Sequence, residues 1–429
     1  MFARRKYFLI LILLLIVVQP LFLFAAGKTT INIWALAGPQ TNMYQSWKAI
    51  YEADHPNVTI NITSHEQNAI MDIMTSALSS GAEDLDISFY WGGAAIDTWA
   101  RDGLLLDLTE YTKKYGWYEK KNVGAKGYAT EGLGNYYFTT DWVTVPHYFY
   151  NKDIFKKVGV TPPQIMDDLF SICKKIKASG LEAWSVGVVD RWPVGGIFND
   201  ILARVMPKDD FNKFINWERD PNKNKKTAEI FKHAAAEEAW GYIRQLIDAG
   251  VFVKGANSMD DSTSRQLFNK GTTAIYDSGS WTMDIFKNDA PNLNYDYFNL
   301  PKIKGKISIC SGYNGLIIPN YVAKEKIPAL MDFLNATFGK QYAQAVFKVG
   351  AIPDNTTINP SDFSGEVHPF VLRILQDVKT YGDVGIIDAL QSPALRQGYY
   401  DTIAAFFDRK ITPKEAAEKM YKNALAILD

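Results

Sequence analysis

From residue 31 onward two hydrophobic periods alternate along the chain. Ile31, Ile33 and Trp34 read as a strand, and Met43, Trp47, Ile50 and Tyr51 recur at helical spacing within residues 41–54. Val58, Ile60 and Ile62 alternate as a second strand. A second helix follows, with Ile70, Ile73, Met74, Ala77 and Leu78 on one face. Residues 85–90 form a third strand, and 94–101 a third helix stopped by Gly103. This β-α-β-α-β order predicts a mostly parallel sheet covered by helices. Such sheets bind ligands in the crevice at the carboxyl ends of their strands, so the loops after Trp34, Ile62 and Tyr90 are the ones to watch.

A second α/β unit opens with the aromatic run Tyr148, Phe149, Tyr150. A short helix begins at Asn151 and stops at Gly159, and Pro162-Pro163 is expected to start another. On that second helix Ile165, Leu169, Ile172, Cys173 and Ile176 share a face, and Gly180 ends it. Asp167 and Asp168 lie in its first turn and Lys174, Lys175 and Lys177 in its last, as the helix dipole favours. Residues 181–189 are strand-like, 220–226 a charged surface loop, and 227–249 one long amphipathic helix. Residues 314–319 read as a returning strand, followed by helices over 323–338 and 340–348. Thr412, Pro413 and Glu415 form a capping box that starts the last helix. Residues 111–137, with the pair Gly132 and Gly134, read as loop and short helices.

Composition narrows the class. At 429 residues the chain exceeds one ordinary core, so two or more domains are expected. A net charge of -1 leaves no electrostatic footprint for nucleic acid. Aromatic residues make up 14%, with 11 Trp and 23 Tyr, which serve either as extra core or as flat platforms for a sugar face. Cys173 and Cys310 are the two cysteines, and both are expected as buried free thiols. At the N-terminus Arg4, Arg5 and Lys6 precede an apolar run that ends in Ala25-Ala26-Gly27. That order reads as a signal peptide over 1–27. The segment holds no Cys for a lipid anchor, so a soluble periplasmic location is expected.

Several motifs together carry a family resemblance. Tyr150-Asn151-Lys152-Asp153-Ile154-Phe155 with Gly159 and Pro162-Pro163 is the first; Tyr51 to Val58, with its His55-Pro56 turn, is the second. Gly103-Leu104-Leu105-Leu106-Asp107-Leu108, the run Phe268 to Tyr276 with Gly279-Ser280-Trp281, and Gly350 to Pro353 complete the set. The chain resembles the family 1 extracellular solute-binding proteins of ABC importers. Ile165-Met166 departs from the family's Thr-Trp, and Leu85-Asp86-Ile87 from its Pro-Asp. The resemblance implies an α/β, two-lobe periplasmic binding protein fold of type II with discontinuous lobes, 28–145 with 300–349 and 146–299 with 350–429. Chain crossings are placed near 143–146, 295–301 and 350–353. It further implies a monomer without cofactor that captures a mono- or oligosaccharide by hinge closure and delivers it to an ABC permease. The alternatives are a polyol phosphate or polyamine ligand, a sensor role, and a secreted glycoside-active enzyme.

Catalytic constellations find little support. His65-Glu66 lacks the second His of a zinc protease, and Gly279-Ser280-Trp281 lacks the second Gly of a nucleophile elbow. A sugar site wants aromatic faces beside hydrogen-bonding side chains. By the resemblance the candidates are Gln40 after the first strand, His65 and Glu66 at the end of the second, and Tyr90 and Trp91 at the end of the third. Asp141 and Trp142 precede the first crossing, and Asp190 and Trp192 follow a second-lobe strand. Trp281, Gly312, Tyr313 and Arg396 complete the set, with Asn314 near the mouth. Trp34, Trp47 and Trp240 read as packing residues.

Overall fold

A computed structural model describes residues 28–121, 126, 135–363, 365 and 367–428. The expected signal segment and the Gly132/Gly134 pair lie outside them. Among the described residues there are two sheets. The larger comprises β1 (Thr29–Leu36), β2 (Val58–His65), β3 (Ile87–Trp91), β4 (Thr139–Thr144), β9 (Ile309–Ile317) and β10 (Ile352–Pro353), in the order β10-β4-β9-β3-β1-β2. A short strand, β11 (Asp383–Gly385), pairs with β9. The smaller sheet comprises β5 (Pro146–Asn151), β6 (Glu182–Ser185), β7 (Thr273–Gly279) and β8 (Tyr295–Phe298), in the order β6-β7-β5-β8.

The expected parallel sheet holds where helices carry the crossovers: β1 runs parallel to β2 and β3. Elsewhere the sheets are mixed. β9 is antiparallel to both β3 and β4, β10 is antiparallel to β4, and in the smaller sheet only β6 and β7 are parallel. A parallel neighbour needs a long crossover on its own sheet, whereas β4, β9 and β10 are joined to the other lobe and are free to enter in the opposite sense.

Two helices differ from expectation. The helix expected to start at Pro162-Pro163 spans Met166–Ala178 and so starts after the proline pair. Asp168 reaches back to accept hydrogen bonds from the backbone N–H groups of Gln164 (3.0 Å) and Ile165 (3.1 Å), which holds the entry turn. The long helix at 227–249 is broken. A 3-10 turn (Thr227–Lys232) gives way at His233, whose Nδ1 accepts from Ala235 N–H and caps a fresh helix, Ala234–Asp248.

Aromatic packing anchors both lobes. In the first, helix Pro39–Asp54 sets Trp47 and Tyr51 against Phe333, and Trp47 against Tyr342. In the second, Trp240 lies between Phe198 and Phe406. Trp34, Trp47 and Trp240 are all buried, and both cysteines are buried free thiols. Only Val145 separates β4 from β5, so the chain changes sheet within one residue. The Val145 carbonyl accepts from Ser280 N–H (3.0 Å), tying that crossing to the end of β7. Just past residue 350, β10 pairs with β4 of the larger sheet. Among the described residues no helix is long and apolar enough to cross a membrane.

Candidate functional site

Between the two sheets lies a cavity of about 600 Å³. Its first-lobe wall is built by register. Trp91 of β3 pairs with Asn314 of β9, and Asn314 pairs in turn with Trp142 of β4, so the three residues form one row across the sheet. All three line the cavity, together with Gln40, Glu66, Thr144 and Gly312. Gly312 is needed there, since a Cβ would stand 2.9 Å from Thr144 Oγ1 and 3.1 Å from Ile386 Cδ1. The second-lobe wall carries Tyr148, Asp190, Trp192, Asp277, Trp281 and Asp388.

The Gly279-Ser280-Trp281 motif now has a physical meaning. The indole of Trp281 lies directly over Gly279, where a Cβ would sit 1.8 Å from the ring. Absence of a side chain at the end of β7 therefore seats Trp281 at the cavity. Trp192 joins it, with ring centroids 5.9 Å apart at 58°. Two flat apolar faces thus line one side of the cavity.

Four pairs of neighbouring candidates split in the structure, three of them because successive strand residues point to opposite faces. Trp91 lines the cavity, while Tyr90 packs against Trp99 (4.7 Å between centroids). Trp142 lines it, while Asp141 turns into the first-lobe core. There it accepts hydrogen bonds from Tyr44 (2.8 Å) and Tyr342 (2.5 Å). Gly312 and Asn314 line it, while the Tyr313 hydroxyl donates to Asp383 (2.5 Å). At the end of β2, Glu66 lines it and His65 packs on Trp34 (4.4 Å). Arg396 stands behind the wall, close enough to Asp388 to act on its charge.

Sequence reasoning passed over Asp277, Asp388 and the Asp261/Arg265 pair. Asp277 had a signal: it is a carboxylate in the middle of an otherwise buried strand, where a charge is costly unless it has a partner. Burial pushes its carboxyl up to about 7, and the Trp184 indole N–H donates to Oδ1 (2.8 Å). Burial likewise raises Asp261 to about 6, while the Tyr276 hydroxyl donates to it (2.7 Å). Asp190 accepts from Asp261 N–H (2.7 Å), bracing one wall loop on the next. On the first-lobe side Gln40 Oε1 accepts from Leu36 N–H (2.6 Å), but Gln40 Nε2 and Trp142 Nε1 are buried without any protein partner.

Residues 35–344 match the family described as bacterial extracellular solute-binding protein. The chain belongs to that family. A relative from Pyrococcus horikoshii, an uncharacterised ABC transporter extracellular-binding protein, is 28% identical over 52% of this chain and 44% of its own length. The chain thus spans less than half of that relative. A probable sugar-binding periplasmic protein of Mesorhizobium japonicum is 21% identical over 77% of each chain. Among solved structures, a chitin oligosaccharide binding protein superposes with a TM-score of 0.78 at 18% identity, covering 94% of this chain and 100% of that one. Maltose-bound MalE3 of T. maritima does so at 0.76 and 15%, with the same coverage. At these identities the structural likeness establishes the two-lobe fold.

Proposed function

We propose that this protein is the extracellular capture subunit of an ABC importer, and that its inter-lobe cavity takes a carbohydrate without turning it over. The observation that carries this reading is the cavity itself. Trp192 and Trp281 offer apolar faces for the C–H side of a sugar ring, and Glu66, Asp190, Asp277, Asn314 and Gln40 offer hydrogen bonds to its hydroxyls. The probable sugar-binding relative and the chitin-oligosaccharide and maltose-bound neighbours support the same class. Of the candidates read from sequence, Gln40, Glu66, Trp91, Trp142, Asp190, Trp192, Trp281 and Gly312 are the proposed contacts. A ligand touching both walls holds the lobes together and favours the closed form, which a permease at the membrane then recognises. A periplasmic location, cleavage of 1–27 and a monomeric state belong to this reading.

The test is thermal denaturation of the chain from residue 28 in the presence of neutral, amino and acidic sugars, polyols and polyamines. A ligand that binds only the folded state raises the melting temperature. Stabilisation by a sugar supports the reading, and stabilisation by none of the sugars removes it. Trp281→Ala should abolish the sugar-induced rise while the unliganded melting temperature stays near that of the parent.

A further inference from the structure

The charges around the cavity are one-sided. Glu66, Asp190, Asp260, Asp261, Asp277 and Asp388 line it, against a single lining cation, Arg265, among the described residues. Arg265 is already engaged, its Nη1 lying 3.4 Å from Asp261, and Arg396 behind the wall acts on Asp388. Glu66 and Asp260 are exposed, so among the lining carboxylates Asp277 is the buried one without a cation. The whole chain carries a formal net charge of only -1, so this excess is local and does not follow from composition. Asp277 is only 5% exposed, and the side chain donating to it is the neutral indole of Trp184. Buried carboxylates without a cation are unfavourable, and a ligand that brings one offsets that cost.

The opposite wall asks for something else. Gln40 is 1% and Trp142 4% exposed, and the unpartnered Gln40 Nε2 and Trp142 Nε1 are both hydrogen-bond donors. They call for hydroxyl or ring oxygens. Aromatic faces such as those of Trp192 and Trp281 accept both C–H groups and cations. A neutral sugar satisfies the donors and the rings but leaves Asp277 without a cation, and an acidic sugar adds to the repulsion.

Resting on the carbohydrate reading, we propose that the ligand is an amino sugar with a free amine. Its ammonium lies against the second-lobe carboxylates, and its ring and hydroxyl oxygens lie against Gln40 and Trp142. The arrangement gives the ligand a direction in the cavity as well as a charge.

Calorimetric titration at low and moderate salt tests this with glucosamine, glucose, N-acetylglucosamine and glucuronate, the disaccharides of the first three, and spermidine. The amine forms should bind about tenfold or more tightly than their uncharged counterparts, as expected for a charge-assisted contact, and salt should narrow the gap. Glucuronate should not bind. Asp277→Asn keeps an acceptor for Trp184, so it should fold with a melting temperature near that of the parent and lose the amine preference. Equal or tighter binding of an uncharged form, binding of glucuronate, or an amine preference that survives Asp277→Asn would overturn the proposal. Spermidine binding with no sugar binding would sink the carbohydrate reading and keep the charge selection. Binding of none of these probes would overturn both.

Discussion

Asp141 in the first lobe and Asp277 in the second are nearly matched. Each sits in a strand of its lobe's sheet, at 3% and 5% exposure, and burial pushes each carboxyl up to about 7. Their surroundings separate them. Asp141 falls where the β4–β9 register shifts, between Thr140 and Trp142, and faces helices Pro39–Asp54 and Lys340–Lys348, whose tyrosines donate to it. Asp277 faces the cavity beside Tyr148, its partner in register across β5. A buried, perturbed carboxylate therefore marks a binding wall only when the chain leaves its front open. When neighbouring hydroxyls close over it, the same group is part of the core.

The largest expected effect breaks the pair on the stability side. Asp141→Ala leaves the Tyr44 and Tyr342 hydroxyls buried without their acceptor, which should cost about 3 kcal/mol. Denaturant titration would show this, while the folded fraction keeps its ligand affinity. A large loss of affinity with unchanged stability would place Asp141 in the site after all. The next effect belongs to the second lobe. Gly279→Ala drives a methyl into the Trp281 indole and should weaken ligand binding by about tenfold, the scale expected for a displaced aromatic contact, with the fold retained. Unaltered affinity would mean that the ring does not touch ligand.

The smallest effect is in the pH dependence. The carboxyl of Asp277 is raised from the ordinary 3.8 to about 7, so between those values the folded chain holds a proton that the unfolded chain has released. Stability from this group is therefore lost as pH rises towards and past 7, by about 1 kcal/mol between pH 6 and 8. Asp141 and Asp261 act in the same direction. His147 opposes them: burial lowers it to about 3, so it favours the folded state as pH rises to 6.5. Comparing Asp277→Asn with the parent cancels the other groups. The variant's denaturation midpoint should fall less steeply with pH, and identical slopes would show that Asp277 stays ionised throughout.

Much of the fold was legible in sequence because its signals are local. The periods at 31–101, the helix start at Asn151, the Gly159 stop and the Thr412/Glu415 box each depend on a few consecutive residues, and each forms as read. Residues 227–249 show where that reading stops. Their apolar spacing continues across His233, and only the cap on Ala235 reveals the break. The sense of β9 and β10 was hidden for a related reason, since strand direction depends on which sheet the chain last left.

The candidate site divides along the same line. Sequence by itself determined which loops approach the cavity and which residue types they carry, because helix stops, strand ends and the Gly-x-Trp motif are written in consecutive positions. It did not determine which member of Tyr90/Trp91, Asp141/Trp142 or Gly312/Tyr313 faces inward. A one-residue change of register exchanges the two faces of a strand, and register is set by pairing with β9, more than a hundred residues away along the chain from β4. Asp277 stands between the two categories. A carboxylate in the strand Thr273–Gly279 is visible in sequence, but only the meeting of two sheets makes it part of a wall.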